Sequence, residues 1–378
     1  MKKNNLYIGI LTGTSMDSID CGIYNFSDKK SEIISFSENS YPLGIKEAIK
    51  NDFKNIKDKG KYKDSSAHHE LGIHFSSIIN NLLNKNNIKK ENISAIGMHG
   101  QTISHLKKNN KTISIQIGCP KILNEKTNIT VVSDFRQDDI ENGGEGAPLA
   151  PLFHDYVFNK SGAKRVVVNI GGISNISFLT SKNNSLYGFD SGPGNTLIDS
   201  WVKHKYNLDY DVNGYIAEAH SCIDLLLKNF MMDKYFQAKF PKSTSTEYFS
   251  REWLSENLKV LKHNYSDGDI LSTLTSLTAF SIIQSIADNY EDCDEIYVCG
   301  GGAFNKAIIT EMKLAARKRF SKHIILDTTD SLGVNPKTVE SGLFAWLAMS
   351  RVNNLSLDYT NVTGSNTPKT LGTIYTST

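Results

Sequence analysis

The stretch Arg165–Asp199, RVVVNIGGISNISFLTSKNNSLYGFDSGPGNTLID, decides how this chain is read. Arg165–Ile170 is a short apolar run rich in β-branched residues, the pattern of a buried strand. Gly171-Gly172 turns the chain into a second strand, Ile173–Thr180, and a third follows at Leu186–Asp190. The third ends in Asp190-Ser191-Gly192-Pro193-Gly194-Asn195, just ahead of a predicted helix over Thr196–Lys205. That order delivers one aspartate to the mouth of a sheet, beside glycines that let a ligand approach bare backbone. A hairpin and a Pro-Gly turn between packed elements account for the same residues.

A second turn near the N-terminus has a similar make-up. Leu6–Leu11 alternates into Thr12-Gly13-Thr14-Ser15-Met16-Asp17-Ser18, and the chain continues as a strand through Ile19–Phe26. The tip combines glycine, hydroxyls and two acids, Asp17 and Asp20. Small residues and backbone N–H groups suit a polyphosphate, and a carboxylate such as Asp17 can hold the accompanying Mg²⁺ through water. No Gly-Lys-Ser/Thr follows, so this is not a Walker loop; GxGxxG spacing is missing too, and a strand rather than a helix comes next. An ordinary polar hairpin is the plain alternative. Strand, small-residue turn and strand thus occur at Ile8–Phe26 and again at Val166–Leu179. The repeat is consistent with two similar α/β halves facing each other across a cleft.

Other strand ends carry polar groups. Ile93–Met98 runs into His99-Gly100-Gln101-Thr102, with His105 beyond. Polar groups at a strand's carboxyl end face the ligand crevice of many α/β sheets, so a sugar-hydroxyl site and a structural turn both remain open. Thr130–Ser133 feeds Asp134-Phe135-Arg136 and the glycine-rich Gly143–Pro148. Arg136 can grip a carboxylate or phosphate bidentately, or pair with Asp134, Asp138 or Asp139. Glu295–Val298 leads into Cys299-Gly300-Gly301-Gly302, where either a flat adenosine ring or a tight turn fits. Helical patterns cover Ser65–Leu83, Gly214–Met232, Asp267–Asp288, Lys306–Arg319 and Val339–Ser350, the last with Glu340 in its first turn. From Ser356 the tail is polar.

Composition narrows the function class. A chain of 378 residues is long enough for ~2 domains, each with its own core. Hydrophobic content of 39% and charged content of 22% fit a globular protein. A net charge of +2, with scattered lysines, points to neither nucleic acid nor an anionic membrane. The apolar runs fall short of the ~18 residues of a membrane span, and the start leads directly into a strand. Five dispersed cysteines without a CxxC predict reduced thiols and a cytoplasmic location.

Together the motifs resemble one family. Gly13-Thr14-Ser15-Met16-Asp17, His99-Gly100-Gln101-Thr102, Asp134-Phe135-Arg136, Gly146–Pro151, Asn169-Ile170-Gly171-Gly172-Ile173, Phe189–Asn195 and Gly300-Gly301-Gly302 look like those of the anhydro-N-acetylmuramic acid kinases, in the same order and across nearly the whole chain. Departures are Ser18 in place of glycine, Glu145 in place of glutamine, Ser245-Thr246 in place of Gly-Arg, and the missing Arg-Pro after His105.

The resemblance implies an α/β fold of two ribonuclease-H-like, actin/hexokinase-type halves around a central ATP cleft, here placed at 1–160 and 161–378 with a helical insertion in the second. It implies ATP and Mg²⁺ as cofactors, an amino sugar as substrate and a homodimer. The 1,6-anhydro bridge is hydrolysed while O6 receives the γ-phosphoryl group. Asp190 becomes the candidate base for water, with Glu340 a second acid. Gly13, Thr14, Ser15, Met16, Asp17, Ser18, Ile19, Asp20, Gly171, Gly172, Gly300, Gly301 and Gly302 are expected around the nucleotide. His99, Gln101, Arg136, Asn169, Gly192 and Asn195 are expected around the sugar. A plain sugar kinase and a non-catalytic, nucleotide-driven module are the other classes this fold would serve.

Overall fold

The computed structural model describes residues 5–377, apart from Thr14, Ser15, Asp17, 28–29, 50, 52–61, 109–110, 180–185, 240–241 and 261–264. The expected positions Thr14, Ser15 and Asp17 therefore lie outside the described residues. The chain forms two compact units, one from Met1–Val157 and Thr338–Thr378, the other from Phe158–Lys337. The expected boundary near residue 160 matches the first crossing. The assignment of residues 338–378 to the second half is corrected, because these residues build the first sheet and its core.

In the first unit, β1 (Leu6–Thr12), β2 (Ser18–Ser27) and β3 (Lys30–Ser40) form an antiparallel meander. β4 (Ile93–Lys108) lies parallel to β1, and β6 (Val131–Ser133) parallel to β4, while β5 (Lys111–Ile117) folds back on β4. The order is β12-β6-β4-β1-β2-β3, with β12 (Thr373–Tyr375) supplied by the tail. In the second unit, β7 (Arg165–Ile170), β8 (Ile173–Leu179) and β9 (Tyr187–Pro193) form the same kind of meander. β10 (Glu295–Cys299) runs parallel to β7, and β11 (Ile325–Thr328) parallel to β10. Three antiparallel strands followed by two parallel ones thus occur twice, and the repeat inferred from the two glycine turns is a repeat of topology. Both units are mixed α/β.

Each sheet is held by an apolar helix. The Val339–Val352 helix buries most of its residues against β1, β4 and β2. It approaches so closely that a Cβ on Gly9 would lie 1.7 Å from the Ser341 carbonyl oxygen, and one on Gly97 1.9 Å from that of Phe344. Only glycine permits that contact between backbones. Tyr24 anchors the helix start, its hydroxyl 2.7 Å from Thr338 O and 2.6 Å from Ser341 Oγ. In the second unit, the Asp267–Asn289 helix opens with a capping box between Ser266 and Asp269 and packs against β8, β9 and the Lys306–Arg319 helix. By length and composition this helix could cross a membrane, although most of it is buried inside the protein. The sequence reading that no apolar run approaches that length is corrected here; the run is a core helix.

Smaller differences have local causes. Phe135–Glu141, left unassigned by the sequence, is helical and is entered through Asp134 in the left-handed region at φ 61°. Gly214–Met232 is broken into Tyr215–Glu218 and Asp224–Met231.

Candidate active site

In the first unit β1 and β2 form the hairpin on which the phosphate turn is expected. Thr12 pairs with Ile19 and Leu11 with Asp20, which fixes the tip between Gly13 and Ser18. Met16 takes a left-handed conformation, φ 57°, and its N–H donates to Gly13 O at 3.1 Å. Ser18 Oγ donates to Asp20 Oδ1 at 3.3 Å. Gln101 is fully buried in β4, where its amide oxygen accepts from the Thr12 hydroxyl at 3.0 Å. Its observed contact therefore braces the base of the hairpin.

His99 and Arg136 come together in the first unit. Arg136 Nε donates to His99 Nε2 at 2.8 Å, and its NH1 to Gly146 O at 2.8 Å. Because Nε2 accepts, the imidazole proton sits on Nδ1 and is donated to Gly100 O at 3.1 Å. Burial and the Arg136 charge hold the His99 pKa well below its usual value. The ring stacks on Phe344 with centroids 4.5 Å apart. Nearby, burial and Arg136 lower the His105 pKa to about 4. Asp138 and Asp139 are engaged elsewhere: Asp138 with Lys369 and Gly372 N, Asp139 with Thr363 Oγ1 and Gly146 N. Glu145 accepts from Thr112 Oγ1 at 2.7 Å. Glu340 stands half-buried in the first turn of its helix.

The second unit gathers three turns. The N–H groups of Gly194, Asn195 and Thr196 donate to the carbonyls of Gly172, Gly171 and Gly172 at 2.9, 2.8 and 3.1 Å. Asn195 Nδ2 adds a bond to Gly171 O at 3.2 Å, and Thr278 Oγ1 holds Gly194 O at 2.7 Å. The third turn follows β10, which pairs Cys299 with Asn169.

The glycines in these turns are of two kinds. Gly194, Gly300 and Gly302 are required by packing: a Cβ there would lie 2.3 Å from Gly171 O, 2.3 Å from Asn169 Oδ1 and 2.2 Å from Ile170 Cγ2. Gly171, Gly172 and Gly301 are not, since their nearest neighbours would be 3.6, 3.4 and 3.9 Å away and none has a positive φ. Neither packing nor backbone conformation needs glycine at these three places.

Asp190 is half-buried in β9. Its N–H donates to Lys242 O at 3.3 Å, its Oδ2 accepts from Thr244 N at 3.0 Å, and its carbonyl accepts from the Tyr235 hydroxyl at 2.6 Å. The following helix is entered through Asn195, without a side-chain cap bond, so Asp190 does not serve as its cap. Gly192, at φ 153°, lies beneath Phe236. Lys242 lies over the Tyr235 ring at 4.7 Å, and burial lowers its pKa against the opposing pull of Asp190. Sequence reasoning missed Tyr235, Lys242 and Thr244 as the holders of Asp190. The Lys242-Ser243-Thr244 run was their one visible signal.

A nucleotide's Mg²⁺ needs hard oxygen donors, and the Asp20 carboxylate beside the Ser18 hydroxyl suits it. Among the described residues no group of three or more His, Cys, Asp or Glu side chains forms a metal site.

The sequence matches the family described as anhydro-N-acetylmuramic acid kinase over residues 5–377. A protein of that description from Shewanella sp. (strain W3-18-1) is 38% identical over 374 residues, covering 98% of each chain. Its counterpart in Shewanella oneidensis is 39% identical over 370 residues, covering 97% of each. Among solved structures, (R)-2-hydroxyglutaryl-CoA dehydratase component A of Acidaminococcus fermentans matches with a TM-score of 0.49 at 12% identity, over 92% of this chain and 99% of that one. From the match along nearly its whole length, the chain belongs to the anhydro-N-acetylmuramic acid kinase family, whose members are ATP-using kinases.

Proposed function

We propose that the protein opens 1,6-anhydro-N-acetylmuramic acid hydrolytically and phosphorylates its O6 with ATP, giving N-acetylmuramic acid 6-phosphate and ADP. It would do so as a cytoplasmic homodimer in the recycling of cell-wall sugar. The observation that carries the chemistry is Asp190, whose carboxylate is steadied by Thr244 N next to glycine turns left bare for a ligand.

In this reading a water oxygen bonds to C1 while the C1–O6 bond breaks. The electron pair released on O6 attacks the γ-phosphorus, and ADP leaves. The water proton passes to Asp190, a general base. A glycosidase ordinarily needs a second carboxyl to protonate the departing oxygen; here phosphorus captures it, so one base suffices. Gly171, Gly172 and Gly300–Gly302 would lie against the nucleotide, with the Thr12–Asp20 hairpin donating to its phosphates. Asp20, together with Asp17, would hold Mg²⁺, which neutralises phosphate charge when bound. His99, Arg136, Asn169 and Asn195 would bind or shape the sugar site, and Glu340 would add a second carboxylate. Neutral His99 is available there as an uncharged hydrogen-bonding group.

The test is incubation with ATP, Mg²⁺ and a panel of sugars in ¹⁸O-water. The anhydro sugar should be turned over with one ¹⁸O at C1. Turnover of another sugar alone, or label absent from C1, would overturn the reading. Light scattering checks the dimer.

A further inference from the structure

The strand register places a polar row across the second sheet. Asn169 of β7 pairs with Asn175 of β8, and Asn175 pairs with Asp190 of β9. The adjacent row, Val168, Ile176 and Phe189, belongs to the hydrophobic core. Side chains alternate between faces of a strand, so the polar row lies on the other face. Residues directly opposite on antiparallel strands have Cβ atoms about 4.5–5.5 Å apart. The register shifts between Ser174 and Asn175, where Ser191 is the extra residue, and the pair Asn175–Asp190 stands at the edge of that bulge; we consider a small molecule bridging the two.

Among the described residues, Asn175 Oδ1 is buried and has no hydrogen-bond partner. A buried acceptor left unpaired costs free energy and calls for an explanation. Thr244 Oγ1, in the residue whose N–H holds Asp190, is buried and unpartnered in the same way. Two buried polar atoms beside one carboxylate are thus left without a partner.

We propose that Asn175 orients the attacking water. One water hydrogen points to the Asp190 carboxylate, the other to Asn175 Oδ1, and a lone pair is left for C1. The O–C1 bond then forms as C1–O6 breaks, with the proton passing to Asp190 as above. The proposal rests on the reading of Asp190 as base and adds a group that fixes the direction of attack. It also distinguishes water from an alcohol. Methanol can give its single hydroxyl proton to Asp190, but it has no second hydrogen for Asn175.

The experiment replaces Asn175 by Leu, which keeps the volume and removes the acceptor, and by Ala as a second variant. Each is assayed with ATP, Mg²⁺ and the anhydro sugar in water–methanol mixtures, and mass spectrometry separates free sugar 6-phosphate from its methyl glycoside. Loss of one hydrogen bond in the transition state should slow hydrolysis about tenfold, with sugar and ATP KM unchanged and the methyl glycoside share raised by a similar factor. Asp190→Asn should slow hydrolysis and methanolysis alike. A silent Asp190→Asn removes the base itself. An Asn175 variant with an unaltered methyl glycoside share, or with changed KM and unchanged kcat, overturns the role of Asn175 and leaves the base standing.

Discussion

The main-chain N–H of Asn195 donates to Gly171 O at 2.8 Å, and its side-chain amide reaches the same oxygen at 3.2 Å. The turn after β9 is thus bolted to the turn between β7 and β8. A loop fixed this way can present bare backbone without sagging, and the open and filled glycines become separable by experiment.

Gly301→Ala should leave stability within about 0.5 kcal/mol of wild type, because the new methyl meets nothing closer than 3.9 Å. ATP affinity should nevertheless fall by about tenfold or more, roughly 1.4 kcal/mol. Gly302→Ala should differ in losing about 1–3 kcal/mol of stability, as the methyl would lie 2.2 Å from Ile170 Cγ2. Calorimetry and nucleotide titration on both variants check the contrast. Equal ATP affinity in wild type and Gly301→Ala would remove that turn from the nucleotide site.

Asp190→Asn keeps an oxygen that can accept from Thr244 N, so the melting temperature should hold. It cannot take up a proton at neutral pH, and general-base assistance is typically worth about 10²–10⁴-fold. kcat with the anhydro sugar should fall by that factor, with ATP affinity little changed. Near wild-type turnover in the folded variant would end the assignment.

Gly97→Ala should cost about 1–3 kcal/mol or more, since its Cβ would sit 1.9 Å from Phe344 O. The strain falls on the helix that carries Glu340, so the variant should lose activity together with stability. Thermal unfolding followed alongside turnover tests this; a stable Gly97→Ala would show that the helix can lift off β4 cheaply.

Acid should weaken the fold before the carboxylates titrate. Burial lowers the pKa of His68 to about 4 and of His154 to about 3. Unfolded, each would bind a proton near pH 6.5. The unfolded chain therefore binds more protons below that pH, and stability falls as pH drops from about 6.5 towards 4. Each residue should cost roughly 1 kcal/mol by pH 5.5. A melting temperature independent of pH between 7 and 5.5 would contradict both depressed values.

Much of the second unit could be read from residue order, because β7, β8 and the glycine turns are local and periodic. Asp190 was visible as an acid at a strand end beside Gly and Pro. Its holders were not: Tyr235, Lys242 and Thr244 reach it through tertiary contacts that leave no periodic trace. Asn175 looked like any strand residue until register set it opposite Asp190. β12 escaped notice because three residues in a polar tail carry no pattern, and pairing with β6 alone makes them a strand. Gln101 was expected at the sugar, but its fully buried side chain accepts from the Thr12 hydroxyl, a tertiary contact that residue order does not show.

The return of residues 338–378 to the first unit also bears on biosynthesis. As the chain leaves the ribosome, Phe158–Lys337 is a continuous segment with its own sheet and core. The first unit begins earlier but lacks its central helix and strand β12 until residues 339–375 have been translated. The N-terminal residues therefore wait, with the apolar faces of β1 and β4 uncovered, while the later-made unit can fold ahead of them. Nascent-chain chaperones would have their greatest claim on this protein in that interval, and premature termination just after Lys337 would release a chain whose second unit is whole and whose first is not.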